Sequence, residues 1–199
     1  MGAKPAGLNI FILVFFESPQ FFGLGAFLEE NLLKVTSMID NIDEYQLIYN
    51  DLETDGFAYL HPNQNKMEKV HNSFVGTFLA QLGYKVWLLP PSNLPNIRTA
   101  DAWLEDENIM IEFKHCQTPT SSAIDTSVQK AKKQASFILL HIDCDIKLQT
   151  LFNGVEDRTQ RPENVDSIKV IWLIYNEKLW KFSRDEIVTK VWRNAFKIE

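Results

Sequence analysis

Cysteine is scarce: Cys116 and Cys144 are the two in 199 residues. Two thiols cannot build the disulfide framework of a small secreted scaffold, so a reducing compartment is the default expectation. No apolar run reaches the roughly 18 to 20 uncharged residues of a membrane-spanning helix, and no integral membrane association is expected. Positive charge is in deficit, with 20 Lys and Arg against 26 Asp and Glu and a formal net charge of −6. There is no basic field over the whole chain, so any nucleic-acid reading must rest on a local site. Internal repeats and low-complexity tracts are also missing, which sets aside solenoids and propellers. What is present is a folding composition: 45% hydrophobic residues, fourteen Phe and five Trp. That supports one domain with a sizeable core and a short appendage.

The apolar run from Leu8 to Phe16, preceded by Lys4, has the length of a signal-peptide core. The small residues Gly23, Gly25 and Ala26 lie too far beyond it to make a good cleavage site, so a buried strand or helix is the expectation. From Leu24 to Ile39 the apolar residues Leu24, Phe27, Leu28, Leu32, Val35, Met38 and Ile39 fall at helical spacing. A soft boundary near Asn50 then separates an N-terminal helical appendage, 1–50, from the main domain, 51–199.

Within the main domain the pattern alternates. Phe57–Leu60 reads as a short strand, and 66–82 as a helix stopped by Gly83. Tyr84–Leu89 is a strand ended by Pro90-Pro91. Ala100–Leu104 and Ile109–Lys114 form a hairpin across Glu105-Asp106-Glu107-Asn108. A Ser/Thr/Pro loop caps a helix over 123–135, and Phe137–Ile142 is a strand of the buried kind. Strands over 167–175 and 179–182 and a final helix over 184–196 complete the chain. This order describes an α/β protein, a mixed sheet with helices on its faces.

The hairpin carries the chemistry. If Leu104 pairs with Ile109, Asp101 lies opposite Glu112, with Cβ atoms about 4.5 to 5.5 Å apart. Two carboxylates at that distance repel unless something positive sits between them. Lys114, two residues beyond Glu112, projects from the same face, while Ile109, Ile111 and Phe113 project from the other. An oxygen-only ligand pair suits Mg²⁺ or Mn²⁺. Such an ion polarises a phosphoryl oxygen and acidifies a bound water, and a neighbouring ammonium stabilises the charge that develops on phosphate. The chemistry is that of phosphodiester hydrolysis.

At these residues the chain resembles the PD-(D/E)XK nuclease superfamily, with Asp101 as the first acid and Glu112-Phe113-Lys114 as the E-x-K element. Over roughly 56–143 it looks like the nuclease domains of contact-dependent growth inhibition toxins. The stretches that carry this likeness are Phe57–His61, the helix running into Leu82–Pro90, and Lys132-Lys133-Gln134-Ala135. The resemblance implies a restriction-endonuclease-like fold and a metal-dependent tRNA nuclease, with RNA favoured over DNA. It also implies a cytoplasmic site of action, delivery as a secreted toxin domain, and a cognate immunity protein. It assigns a metal-ligand role to Glu68, the one acid in the preceding helix, although the register also admits Asn72 at that place. Gln134 matches the glutamine that follows the motif and joins Asp101, Glu112 and Lys114 as a catalytic candidate. Lys130, Lys133 and Arg98 are candidates for tracking phosphates.

Blander readings stand beside these. A hairpin with two acids and a lysine can be a solvated face with a cross-strand ion pair. The fold can also persist as an inactive module that binds nucleic acid or a protein, or as a DNA endonuclease using the same site. His115-Cys116 and His141-x-x-Cys144 match no structural zinc spacing and fall on different elements; His61 and His71 are expected at the core edge or in solvent. Trp103 shares the site face and either stacks on a base or packs.

Overall fold

The computed structural model describes residues 42–92 and 99–197. The chain divides into the units Met1–Asp40 and Asn41–Glu199, and the described residues belong to the second. The apolar run at 8–16, the amphipathic helix at 24–39 and Arg98 lie outside the described residues.

The second unit is an α/β fold around an eight-stranded mixed sheet whose strands lie side by side in chain order. They are β1 (Gln46–Asn50), β2 (Phe57–Leu60), β3 (Lys85–Leu88), β4 (Ala102–Leu104), β5 (Ile109–Cys116), β6 (Phe137–Ile142), β7 (Val170–Tyr175) and β8 (Lys178–Ser183). Parallel neighbours need a long crossover, and each has one. Helix α1 (Lys69–Gln81) joins β2 to β3, α2 (Ser121–Ala131) joins β5 to β6, and α3 (Leu148–Thr159) joins β6 to β7. The remaining neighbours are antiparallel. Among the described residues no helix is long and apolar enough to cross a membrane.

Period-two alternation sorts the strand residues onto two faces, and both faces are covered. Ile111 and Phe113 of β5, Leu139 of β6 and Trp172 of β7 pack with Val75 and Leu79 of α1. Cys116 of β5, Ile138 and Leu140 of β6 and Ile171 of β7 pack on the opposite side with Ile124 and Val128 of α2 and Leu151 and Val155 of α3. A hairpin with one open polar face is therefore not what forms; the polar face of β5 is roofed by α2 and the turn after it.

Local signals account for most boundaries. Gly83 follows α1 with φ of 89°, a left-handed conformation that a β-carbon would strain. The Thr120 hydroxyl accepts the Ala123 N–H at 3.3 Å and caps α2.

The structure departs from the expected elements in four places. The stretch 46–50, assigned by sequence to the appendage, is an edge strand of the sheet, so this unit begins nearer Asn41 than Asn50. Helix α2 ends at Ala131, before the expected 135. The final helix breaks into α4 (Arg184–Val188) and a 3-10 segment over Val191–Lys197, separated by Lys190 at φ of 63°. Helix α3 is an addition; its buried Leu151, Phe152 and Val155, with Leu148 before them, are spaced as a helical stripe.

Candidate active site

The hairpin register is Leu104 with Ile109, Trp103 with Met110 and Ala102 with Ile111, which puts Asp101 and Glu112 next in line. Asp101 stands one residue before β4 and is anchored twice. Its Oδ2 accepts the Phe113 backbone N–H at 2.9 Å, and its Oδ1 accepts from the Asn72 side-chain amide at 2.9 Å. One bond ties the acid to β5 and the other to α1.

Glu112 is 1% exposed. Its Oε1 accepts from both the Lys114 ammonium and the Gln134 side-chain amide. Its Oε2 is buried and no N–H or O–H donor among the described residues reaches it. Burial raises the Glu112 carboxyl most, and the charge of Asp101 together with a carboxyl–carboxyl contact raises it further. Lys114 pulls the other way, and the balance is about 8. At neutral pH, without a cation, this carboxyl holds a proton.

The two acids open onto a cleft of about 280 Å³ lined by Gln64, Asn65, Glu68, Leu89 to Ser92, Thr99 to Asp101, Glu112 and Gln134. It lies at the ends of β2 and β3, where the chain leaves the sheet. The residues present fit a hard divalent cation. They bring two carboxyls into one cleft, one buried Glu112 oxygen lacks a donor, and Gln134 and Lys114 hold the other. Lys114, with a side chain 18% exposed, is held beside Glu112.

The other expected residues divide. Glu68 lines the cleft at the N-terminal end of α1, exposed, and accepts from the Asn65 amide at 2.9 Å. Asn72, one turn further, is the α1 residue in contact with Asp101 and is 2% exposed. Gln134 sits in the turn beyond α2 and not on the helix, and this turn aims its amide at Glu112. Lys130 and Lys133 are exposed at the end of α2 and in that turn, and neither lines the cleft. Trp103 packs against Trp87, with ring centres 6.5 Å apart, and so belongs to a small aromatic core.

Gln64 carries a signal that sequence reasoning missed. It lines the cleft, is 5% exposed, and neither its amide nitrogen nor its oxygen has a partner among the described residues. A buried amide with both ends unpaired is uncommon and suits a group waiting for ligand. Nothing in the local sequence His61-Pro62-Asn63-Gln64 marks it.

His71 is half-buried at the core edge as expected, but its company was not visible in the sequence. His71, His115 and His141 lie together on the α1 side of the sheet. Burial first, then the neighbouring rings, hold His71 down to about 4, and His141 is lowered for the same reasons.

No protein-family model and no curated protein matches this chain. Among solved structures, a chain of the CdiA-CT/CdiI toxin and immunity complex from Burkholderia pseudomallei overlaps 61% of this chain and 91% of its own. The overlap has a TM-score of 0.42 and 14% identity. A likeness of that size says nothing about activity, which must be read from the site.

Proposed function

We propose that this chain is a metal-dependent phosphodiester hydrolase with a PD-(D/E)XK-type site, acting on RNA ahead of DNA as a toxin-like nuclease. The observation that carries the reading is Glu112. A buried carboxyl touching a second acid, with one oxygen lacking a donor and an ammonium on the other, is an expensive arrangement for a merely structural hairpin.

Asp101 and Glu112 would hold Mg²⁺ or Mn²⁺, with Glu68 at the cleft mouth as a further oxygen donor. When bound, such an ion supplies Lewis-acid polarisation of the phosphoryl group and a more acidic water. The protein's own residues do the rest. Asn72 and the Phe113 N–H keep the Asp101 carboxylate turned toward the cleft. Gln134 holds Glu112 in one rotamer. Lys114 supplies a fixed positive charge beside the reacting phosphate and a donor that orients the attacking water. Gln64 offers both a donor and an acceptor to substrate from the cleft wall. Lys130 and Lys133, exposed at the end of α2 and in the turn after it, would contact phosphates away from the cleft.

The preference for RNA, the cytoplasmic site of action, delivery as a secreted domain and an immunity protein that plugs the cleft come with the resemblance over roughly 56–143, carried by Phe57–His61, Leu82–Pro90 and Lys132–Ala135. A second reading has one observation of its own. Asn72 occupies the helix position that contacts the first acid, and an amide there weakens an acidic site. On that reading the chain binds nucleic acid or a protein without cleaving.

The test is cleavage of labelled tRNA and duplex DNA with Mg²⁺, with Mn²⁺ and with chelator. Cation-dependent cleavage of tRNA supports the first reading, and duplex cleavage moves the substrate to DNA. Binding without cleavage of either under all conditions overturns the nuclease in favour of the binding module.

A further inference from the structure

Three of the four histidines of this chain come from three different elements and meet at one place. His71 is on α1, His115 on β5 and His141 on β6. One nitrogen from each lies within 4.8 Å of the others. His115 and His141 are directly paired across the parallel β5–β6 ladder, and α1 lays His71 over them.

From this juxtaposition we propose a second metal site, made by the imidazoles of His71, His115 and His141, for a borderline transition-metal dication of which Zn²⁺ is the representative. It is separate from the carboxylate cleft. Successive strand residues project to opposite faces, so Lys114 and Cys116 turn toward α2 while His115 turns toward α1. Cys116 is thereby removed from the donor set, and Cys144 packs against the same opposite core.

The donor chemistry selects the metal. Three neutral imidazoles and no carboxylate disfavour Mg²⁺ and favour Zn²⁺ and its neighbours. Spacing is already partly set. His141 Nδ1 and His71 Nε2 are 3.3 Å apart, about the edge of a tetrahedron built on metal–nitrogen bonds of roughly 2.0 to 2.1 Å. The rings must still turn, because the three imidazole planes lie within 13° of parallel. His115 is stacked on His71 with centres 4.3 Å apart and planes 12° from parallel, so its nitrogen converges on the other two by rotation about its side-chain torsions.

Asp143 supplies the usual support for such a ligand. Its Oδ2 lies 2.8 Å from His115 Nε2, which leaves Nδ1 as the ligating atom and fixes the tautomer. Three histidines leave a fourth position to water. Loading would tie α1 to β5 and β6 at the residue next to Asn72, the residue that holds Asp101. The site therefore acts as a clip on the helix that orients the first acid.

The test uses the full chain stripped with chelator, then titrated with Zn²⁺ alone and with Co²⁺ alone. Expected are one equivalent of Co²⁺ with the visible absorption of a low-coordinate nitrogen site, apart from any Co²⁺ taken up by the carboxylate cleft, and a rise in thermal midpoint with Zn²⁺ that persists in Glu112→Gln. His115→Gln, at an accessible position, lowers Zn²⁺ affinity at least tenfold, and Asp143→Asn lowers it by about tenfold. Glu112→Gln leaves it unchanged. Nitrogen-detected imidazole spectra of the unmutated chain need no variant: Zn²⁺ shifts His71, His115 and His141, and His61 stays still. Loss of Zn²⁺ binding in Glu112→Gln, unchanged affinity in His115→Gln, or a shift of His61 in place of the three would overturn the proposal.

Discussion

Replacing Glu112 by glutamine isolates the charge of one buried carboxyl. Its rise from the ordinary 4.5 to about 8 means that the folded, cation-free protein binds a proton there that the unfolded chain has already released. Between those two values the folded state holds more protons, so stability falls as pH rises. The contribution is fully present below about pH 4.5 and is lost once pH passes about 8. At 1.36 kcal/mol per unit, the ionised carboxyl costs about 5 kcal/mol. The substituted amide keeps the shape and never ionises. With chelator present, the Glu112→Gln variant and the parent should therefore match near pH 5 and separate by roughly 10 to 20 °C in thermal midpoint near pH 9 for a unit of this size. Other titrating groups are common to both proteins and cancel in the difference. Mg²⁺ or Mn²⁺ at pH 9 should recover much of the gap for the parent alone, because the cation supplies the opposite charge that the ionised Glu112 lacks. Thermal melts by circular dichroism across pH give the whole comparison. Parallel curves for the two proteins, with no divergence between pH 5 and pH 9, would refute the claim that Glu112 is held protonated against Asp101.

Three other changes probe the same architecture. Lys114→Ala should reduce the tRNA cleavage rate by about 10²- to 10³-fold with little change in substrate binding, and it should push the Glu112 titration higher because the ammonium opposes its rise; multiple-turnover kinetics and the pH melts read both effects. Asn72→Asp replaces the amide that donates to Asp101 with a second buried acid, so cation-free stability at neutral pH should drop by about 2 to 4 kcal/mol while Mn²⁺ affinity increases, read by denaturant titration and calorimetry. Gly154→Ala drives a β-carbon to 2.6 Å from the Ile124 Cβ and 2.7 Å from the Ser121 carbonyl oxygen where α3 crosses α2, and a loss of about 1 to 3 kcal/mol in chemical denaturation is expected despite alanine's better helix propensity.

The hairpin was legible because its information is local. Leu104 and Ile109 flank a four-residue connection, and once they pair, alternation alone sets Asp101 in line with Glu112 and Lys114 on its face. Gly83 and Thr120 likewise announce a helix end and a helix start through backbone and capping chemistry that needs no distant partner. Strand β1 was illegible for the opposite reason. Gln46–Asn50 carries Leu47, Ile48 and Tyr49 but is short and set among acidic residues, and it is a strand because β2 offers it a ladder. Helix α3 carries a Leu148, Leu151, Phe152, Val155 stripe, a local helical signal that needs no tertiary partner.

What the chain order determined by itself is the menu: an α/β alternation, a hairpin bearing two acids and a lysine, and helices long enough to cross between parallel strands. What tertiary structure decided is protonation and company. Glu112 becomes buried only because α2 and its following turn close over that face and bring Gln134 from 22 residues away. Asp101 receives Asn72 across 29 residues, and His71 reaches His141 across 70. Spacing along a strand fixes which side a residue faces. Desolvation and the meeting of residues remote in sequence depend on how the layers stack, and no local pattern encodes that.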